Sequence, residues 1–346
     1  MSAAPATLDD DEARGHSHRI AELLFRFREL GIILALVIVV GGTALDNSNF
    51  ISETNLQQIA GSASIIALLA IGETMVIVTR NVDLSIGSVV GLSAYLTGYL
   101  FVHHPGIPIL LVFVIGAALG LACGIVNGVI VTVARVPSLV VTLATLYVIR
   151  GIDATWSSGK QVNPSSLPDT FTKIGFGTFL AVPYLAIIVA VALVIATYFL
   201  RTFRTGRDFF AIGSNPEAAR LAGIPVDRRV FATFALSGAI AGIAGVLWLS
   251  YFGSVDSTAG TGYEFQVVAA VVVGGVAIFG GSGSVLGAAL GALLLNTINS
   301  ALIAVRVSSY WDMAFQGALL ILAIAFDRLV LLRVAPALRT RRRERV

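Results

Sequence analysis

The chain has 346 residues, of which 56% are hydrophobic and only 12% are charged, and its formal net charge is +3. Soluble domains carry roughly a quarter charged residues, since polar side chains must cover their surface. The composition therefore excludes an ordinary soluble protein and predicts a chain for which the lipid bilayer is the main solvent.

The N-terminal residues 1–29 predict a cytoplasmic tail that is partly disordered. Residues 9–12 are all acidic, whereas a secretory signal begins with a basic region followed directly by an apolar core. Residues 30–332 are expected to form a single transmembrane permease domain, and residues 333–346 a basic cytoplasmic tail. We expect this tail to contact anionic lipid headgroups rather than nucleic acid.

Ten apolar runs follow the tail, each long enough to cross or nearly cross the hydrocarbon core, which requires about 20 helical residues. Polar or Gly/Pro-rich segments separate them. The sequence therefore predicts an all-α polytopic membrane protein, in which the fifth and eighth runs are short for a full crossing. The predicted spans are 30–45, 57–79, 84–102, 108–134, 138–150, 180–200, 230–251, 265–280, 284–305 and 312–332.

The basic residues predict the orientation of these spans. With ten spans both termini lie on one side of the membrane, and if that side is the cytoplasm, only four of the 23 Lys and Arg residues lie outside. Because basic residues are retained on the cytoplasmic side, both termini are expected there. The four outside residues are Arg150, Lys160, Lys173 and Arg306.

Glycines at four-residue spacing predict helices that pack closely in lipid. One series is Gly116, Gly120, Gly124 and Gly128, and another is Gly283, Gly287 and Gly291. The five residues that begin at Gly116 recur at Gly287, in two spans that run in opposite directions. This recurrence predicts an inverted repeat that relates spans 2–5 to spans 7–10, as in many alternating-access transporters. A competing match between the segments that begin at Gly87 and Gly283 has another offset, and one of the two matches is coincidental.

No catalytic or metal site is indicated by the sequence. Cys123 is the one cysteine, and the two histidine pairs lack the i, i+4 spacing of a helical zinc site. No segment matches the G-x-x-x-x-G-K-[ST] pattern, so the chain is not expected to hydrolyse ATP by a P-loop mechanism. Buried acids are too sparse for a proton-driven pump: the membrane-embedded acid is Glu73, and Asp83 follows a helix break.

The predicted inside loop 201–229 contains a helix with strong end signals. Asn215 is a good N-cap, Pro216 suits the first helical position, and Glu217 lies in the first turn. Gly223 is placed to end the helix. The pattern predicts a rigid helix of about two turns that docks a partner and transmits its movement to the spans.

Three segments carry a family resemblance. Residues 81–88, Asn-Val-Asp-Leu-Ser-Ile-Gly-Ser, resemble the signature after the second span in permeases of ABC importers for ribose, xylose, galactose, rhamnose and the autoinducer quorum signal. Residues 211–224 and 273–284 are similar to the coupling loop and a third landmark of that family. The resemblance covers about residues 50–330 and leans toward the rhamnose and autoinducer branch. Many relatives have two glycines where this chain has Arg80-Asn81.

The resemblance implies a permease subunit of the bacterial inner membrane, not an enzyme, that passes a monosaccharide-like solute to the cytoplasm. It implies a second permease copy or paralogue, two ATPase subunits that use the ATP, and a periplasmic or lipid-anchored solute-binding protein received by loop 151–179. No cofactor is expected on the chain itself. Two alternatives stay open: an ABC permease for branched-chain amino acids, and a stand-alone secondary transporter.

The resemblance and the intramembrane polar residues give three groups of candidate site residues. The ATPase-coupling group is Gly206, Gly213, Asn215, Pro216, Glu217, Ala218, Arg220 and Gly223. The signature group at the helix break is Asn81, Asp83, Ser85, Gly87 and Ser88, in which Asp83 either caps the third span or contacts solute. The solute-path group either forms hydrogen bonds with a hydroxylated solute or forms hydrogen bonds between helices. Its members are Glu73, Asn127, Asn296, Asn299 and Gln316.

Overall fold

The computed structural model describes residues 29–307 and, beyond them, residues 311, 314, 315, 317, 318, 321, 322 and 325. The predicted tails, most of the tenth predicted span and Gln316 lie outside the described residues. Within residues 29–307 the chain is mostly helical and has just two short strands, which confirms the predicted all-α class.

Twelve α-helices follow one another between residues 29 and 304 of the described chain. A short 3₁₀ turn at Ser48–Ile51 joins the first two, another at Pro164–Ser166 precedes α6, and strands β1 (Thr178–Phe179) and β2 (Val182–Pro183) form a small hairpin before α7. The helices are α1 Glu29–Asp46, α2 Glu53–Val78, α3 Ile86–His103, α4 Ile109–Thr132, α5 Ser138–Ser157, α6 Asp169–Phe176, α7 Tyr184–Thr202, α8 Arg204–Ser214, α9 Pro216–Leu221, α10 Val226–Phe252, α11 Tyr263–Val273 and α12 Val285–Ala304.

Eight of these helices are long and apolar enough to cross a membrane: α1 to α5, α7, α10 and α12. The fifth predicted span, 138–150, proves to be a full-length helix of 20 residues that ends at Ser157. The eighth predicted span, 265–280, is wrong as a continuous helix, because α11 has only 11 residues and ends at Val273. Gly275, Gly280, Gly281 and Gly283 after it have positive φ angles, which an α-helix does not accommodate.

The bundle has two ends. The turn between α2 and α3 lies at the same end as α8 and α9, where Arg80 contacts the last turn of α8; we term this the α8–α9 end. The opposite end carries α6 and the hairpin, and Ser250 near the end of α10 donates a hydrogen bond to the Phe171 carbonyl of α6 there (2.6 Å). We term it the hairpin end.

The first predicted glycine series forms a close helix seam. Gly120 of α4 faces Gly238 and Gly242 of α10, and a Cβ atom on Gly120 would collide with the Gly238 carbonyl oxygen. A Cβ on Gly124 would collide in the same way with the Phe234 carbonyl oxygen. The two backbones therefore touch directly, as small residues at this spacing predict.

The second glycine series packs differently. Gly287 and Gly291 of α12 lie against the backbone of α11 at Gly274 and Ala270. Gly283 is not on the same helical face, because it precedes α12 and has a φ angle of +145°. The two matching five-residue strings therefore face different partners, α10 in one case and α11 in the other.

Helix pairing nevertheless has the arrangement that the predicted inverted repeat requires for spans 2–4 and 7–9, which lie within the described residues. Helix α4 packs along α10, and its counterpart α12 packs along α2; likewise α3 packs on α10, and α11 packs on α2. The N-terminal turns of α3 and α11 meet inside the bundle, where Gly87 lies against Glu264. Both helices thus begin within the protein and run toward opposite ends, which is typical of discontinuous helices in transporters.

Candidate functional site: a polar cavity and a helix junction

A cavity of about 710 Å³ opens toward the hairpin end of the bundle. Its walls come from the first half of α2, the end of α6, the hairpin, the end of α10, the start of α11 and the second half of α12. Six of its described lining side chains are amides: Asn55, Gln57, Gln58, Gln266, Asn296 and Asn299. Four more are aromatic: Phe176, Tyr251, Phe252 and Tyr263.

The aromatic side chains of the cavity are held by contacts between helices. The Tyr251 hydroxyl donates a hydrogen bond to the Gln58 carbonyl (3.0 Å), which joins α10 to α2. The Trp248 indole donates to the Tyr263 hydroxyl (3.1 Å), and the rings of Phe176 and Tyr251 stack with centroids 6.0 Å apart. These rings are therefore fixed before any solute arrives.

No charged side chain occurs among the described residues that line the cavity. Amide groups both donate and accept hydrogen bonds, and aromatic rings offer apolar faces. An ionised solute would lose its hydration in such a site without gaining a counter-ion, which is costly. The cavity chemistry therefore favours a neutral solute with several hydroxyl groups.

The structure divides the predicted solute-path group. Asn296 and Asn299 line the cavity, and the Asn296 amide also donates to the Ala292 carbonyl of its own helix (3.0 Å). Glu73 and Asn127 lie away from it, and both are fully buried. Gln316 falls outside the described residues.

Glu73 and Asn127 belong instead to a buried network at the break between α2 and α3. The Asp83 amide donates to the Glu73 carboxylate (3.1 Å), and the Ser85 amide and hydroxyl both donate to Asp83 Oδ1 (3.0 and 2.6 Å). The Asn127 side chain of α4 then donates to the Ser85 hydroxyl (2.8 Å). Asp83 thus closes the turn that leads into α3, whereas the N-cap of α3 is Ser85.

The remaining signature residues shape the same turn and the start of α3. The Asn81 side chain donates to the Thr79 carbonyl (3.0 Å), and the Ser88 hydroxyl donates to the Ser85 carbonyl (2.7 Å). At Gly87 a Cβ atom would collide with the Glu264 carboxylate and lie 2.7 Å from the Gly260 carbonyl oxygen. Gly87 is therefore required for the close approach of α3 to α11.

The predicted loop 201–229 folds as two helices at the α8–α9 end. The Asn215 side chain accepts hydrogen bonds from the Glu217 and Ala218 amides (3.0 and 3.1 Å), and Pro216 begins α9. Gly223 has a φ angle of +78°. Helix α9 has six residues and a length of about 9 Å, close to the predicted two turns, and residues 204–214 before it form α8.

The ATPase-coupling group divides into exposed and buried members. Glu217, Ala218, Arg220 and Gly223 are exposed on α9 and its C-terminal turn, and Pro216 is half-buried. Arg220 forms an ion pair with Asp227 (2.9 Å) at the surface. The two other glycines are buried, and a Cβ on Gly206 would lie 2.6 Å from the Phe199 carbonyl oxygen.

Gly213 lies where three segments meet, which we term the helix junction. The Gly281 amide donates to the Val78 carbonyl at the end of α2 (2.9 Å). A Cβ on Gly213 of α8 would collide with both of these groups. The helix junction therefore brings together the end of α2, the end of α8 and the loop 274–284, which contain or adjoin all three of the resembling segments.

Several residues at these two places escaped the sequence-based selection. Leu221 of α9 is 91% exposed, which is unusual for a large apolar side chain on a polar helix and could have been noticed from its position. Gln58 and Gln266 are side-chain amides within predicted spans, which is the feature for which the asparagines of the solute-path group were selected. Tyr251 and Tyr263 gave no distinct signal, since aromatic residues are common near the ends of spans.

Comparison with known proteins shows which family the chain resembles along its length. The model of a family described as "Branched-chain amino acid transport system / permease component" matches residues 55–324. Autoinducer 2 import system permease proteins LsrC are similar along most of the chain. The protein from Escherichia coli O9:H4 is 34% identical over 87% of this chain and 86% of its own length. Those from Enterobacter sp. (strain 638) and Salmonella paratyphi B are 34% and 35% identical, over 88% and 87% of this chain and 88% and 86% of their own lengths. No solved structure matches the chain with significance.

Proposed function

We propose, on the premise that this chain belongs to the branched-chain amino acid transport system permease family, that it is the membrane permease of an ATP-binding-cassette importer for a neutral, monosaccharide-like solute. The premise rests on the match over residues 55–324 and on relatives at 34–35% identity. The nature of the solute rests on the cavity at the hairpin end.

The uncharged lining of the cavity is the observation that carries the choice of solute. A branched-chain amino acid is a zwitterion at neutral pH, and a site for it needs partners for both an ammonium and a carboxylate group. Six amides and four aromatic rings suit a small polyhydroxylated molecule better. The volume of about 710 Å³ falls within the roughly 300–1,000 Å³ of ordinary ligand pockets. The relatives' name, which refers to autoinducer 2 import, supports the same choice over an amino acid.

The orientation that we propose places the α8–α9 end in the cytoplasm of a bacterium and the cavity on the outer face of its inner membrane. The segment from α7 to the start of α10 carries Arg201, Arg204, Arg207, Arg220, Arg228 and Arg229, whereas the hairpin end has few basic residues. Retention of basic residues on the cytoplasmic side supports this orientation. Both termini would then be cytoplasmic.

The partners follow from this orientation. Two ATPase subunits would bind at α9, where the exposed Leu221 side chain offers apolar surface that a partner can bury. A solute-binding protein would deliver solute to the segment between α5 and α7, and a second permease copy or paralogue would complete the transport path. ATP hydrolysis is assigned to the ATPase, because the sequence of the permease has no P-loop pattern.

Uptake by reconstituted vesicles tests this proposal. The permease is inserted into proteoliposomes with its ATPase and binding protein, and the uptake of labelled neutral monosaccharides and of labelled leucine is measured with and without internal ATP. We expect ATP-dependent uptake of a neutral sugar-like solute and none of leucine. Uptake of leucine alone would contradict the assigned solute, and accumulation by the permease without the ATPase would support a secondary transporter instead.

A further inference from the structure

Helix α2 ends in a hydrogen-bonding pattern that normally contains glycine. The Asn81 amide donates to the Val76 carbonyl (3.2 Å) and the Arg80 amide to the Ile77 carbonyl (2.9 Å). This pair of bonds defines a Schellman motif, in which the residue at position C′ adopts the left-handed conformation and is usually glycine. Here that residue is Arg80, with a φ angle of +68°.

The Arg80 side chain compensates for this unfavourable backbone conformation by binding another helix. Its Nε donates to the Gly213 carbonyl (2.6 Å), and its Nη2 donates to the Ser214 carbonyl (2.8 Å). These are the last carbonyl groups of α8, which have no partner within their own helix. A cation at this position also interacts favourably with the negative end of the helix dipole.

The contacts of Arg80 connect the exposed helix α9 with the helix break. On one side, Gly213 and Ser214, which accept hydrogen bonds from Arg80, immediately precede the N-cap of α9. On the other side, Asp83 follows Arg80 by three residues and is the centre of the buried network with Glu73 and Ser85. Room for the arginine stem comes from Gly280, where a Cβ would lie 2.6 Å from Arg80 Cγ.

We propose that Arg80 is a positioning residue that transmits movement from α8 and α9 to the start of α3, so that ATP hydrolysis by the partner is converted into solute transport. The inference rests on the proposed function, since it requires an ATPase that acts through α9. Arg80 acts through the backbone carbonyls of α8 and is not among the residues that line the cavity.

The test is the ratio of solute molecules transported to ATP molecules hydrolysed by the full complex in proteoliposomes. We expect Arg80→Ala to lower this ratio about tenfold, within the range by which changes along a coupling element alter coupling. ATPase copurification and basal ATP hydrolysis stay at the wild-type level, because the surface of α9 is unchanged. Arg80→Lys restores part of the ratio, since one ammonium group replaces the fork of donors.

Two further variants separate coupling from folding. Arg80→Gly suits the left-handed position, so this variant is expected to fold at least as well as wild type. It is nevertheless expected to lose coupling as Arg80→Ala does. If the alanine variant does not assemble, the glycine variant therefore tests the role of Arg80. Arg306 occupies the same position of a Schellman motif at the end of α12, and Arg306→Ala is expected to keep the wild-type ratio.

The outcomes distinguish this inference from the function on which it rests. If wild-type vesicles show no ATP-driven uptake, the proposed function fails. If wild type transports and Arg80→Gly keeps the wild-type ratio of solute to ATP, the role of Arg80 is overturned while the proposed function stands. If Arg306→Ala lowers the ratio of solute to ATP as Arg80→Ala does, the role of Arg80 is also overturned. The effect would then come from changing the residue at the left-handed position of a Schellman motif and not from losing the contact with α8.

Discussion

The cavity at the hairpin end and the helix junction at the α8–α9 end are built from different parts of the chain. The cavity is lined by side chains on six elements, and its polar groups are amides and hydroxyls. The helix junction is made by backbone groups, where Val78, Gly213 and Gly281 touch without intervening side chains. In the cavity, one lining side chain can be replaced without displacing the others. At the helix junction, almost any side chain added to a glycine would force the touching backbones apart.

The largest effect is expected at the helix junction. Gly213→Val places a branched side chain where a single Cβ atom already collides with the Val78 carbonyl and the Gly281 amide. The end of α8 must then move, at a cost of about 1–3 kcal/mol or more, and we expect uptake to be abolished. Uptake and thermal unfolding of the purified permease measure the two effects. Gly151→Ala, which meets no atom within 4 Å, is the matched control, and normal transport by Gly213→Val would refute the close contact.

An intermediate effect is expected on α9, which extends from the helix junction into solvent. Leu221→Asp changes a side chain that is 91% exposed, so the free energy of unfolding should change by less than about 0.5 kcal/mol. Burial of a Leu side chain is worth about 1.5–3 kcal/mol, so ATPase binding should weaken about 10- to 150-fold. Copurification of the ATPase with equal amounts of membrane-inserted permease measures this. Glu217→Lys should likewise reduce uptake, and unchanged ATPase binding in both variants would exclude α9 as the docking helix.

The smallest effect is expected in the cavity. Gln266→Leu retains the approximate size of the side chain but removes two donors and one acceptor. Loss of one hydrogen-bonding partner costs about 1–2 kcal/mol, so the solute concentration for half-maximal uptake should rise about 5- to 30-fold, while the maximal rate changes little. Ile303→Leu, at an apolar position of the same cavity, should leave both parameters unchanged. A fall in maximal rate without a change in half-saturation would place Gln266 in the moving parts instead.

Local signals in the sequence predicted the features that depend on neighbouring residues. The cap at Asn215, the end of α9 at Gly223 and the seam through Gly120 follow from helix geometry, and the structure has all three. The eighth run was expected to be short, but the end of α11 at Val273 did not follow, because an apolar run with glycines reads the same whether it is a helix or an irregular segment buried in protein.

The features that depend on tertiary structure could not be read from the sequence. Asn127 and Asn296 are both amides within apolar helices, yet one is sealed in a buried network and the other lines a cavity. The contact between Arg80 and α8 joins residues more than 130 positions apart in the chain. Only the family resemblance suggested that segments so far apart serve one purpose.

The seam between α4 and α10 has a mechanical consequence. At Gly120, Gly238 and Gly242 the two main chains interlock with no flexible side chain between them, so sliding one past the other would drive carbonyl groups into Cα atoms. The pair should therefore behave as a stationary wall during each transport cycle. Conformational exchange would then be confined to helices outside this pair, and distances measured between α4 and α10 should have the same value in every nucleotide state.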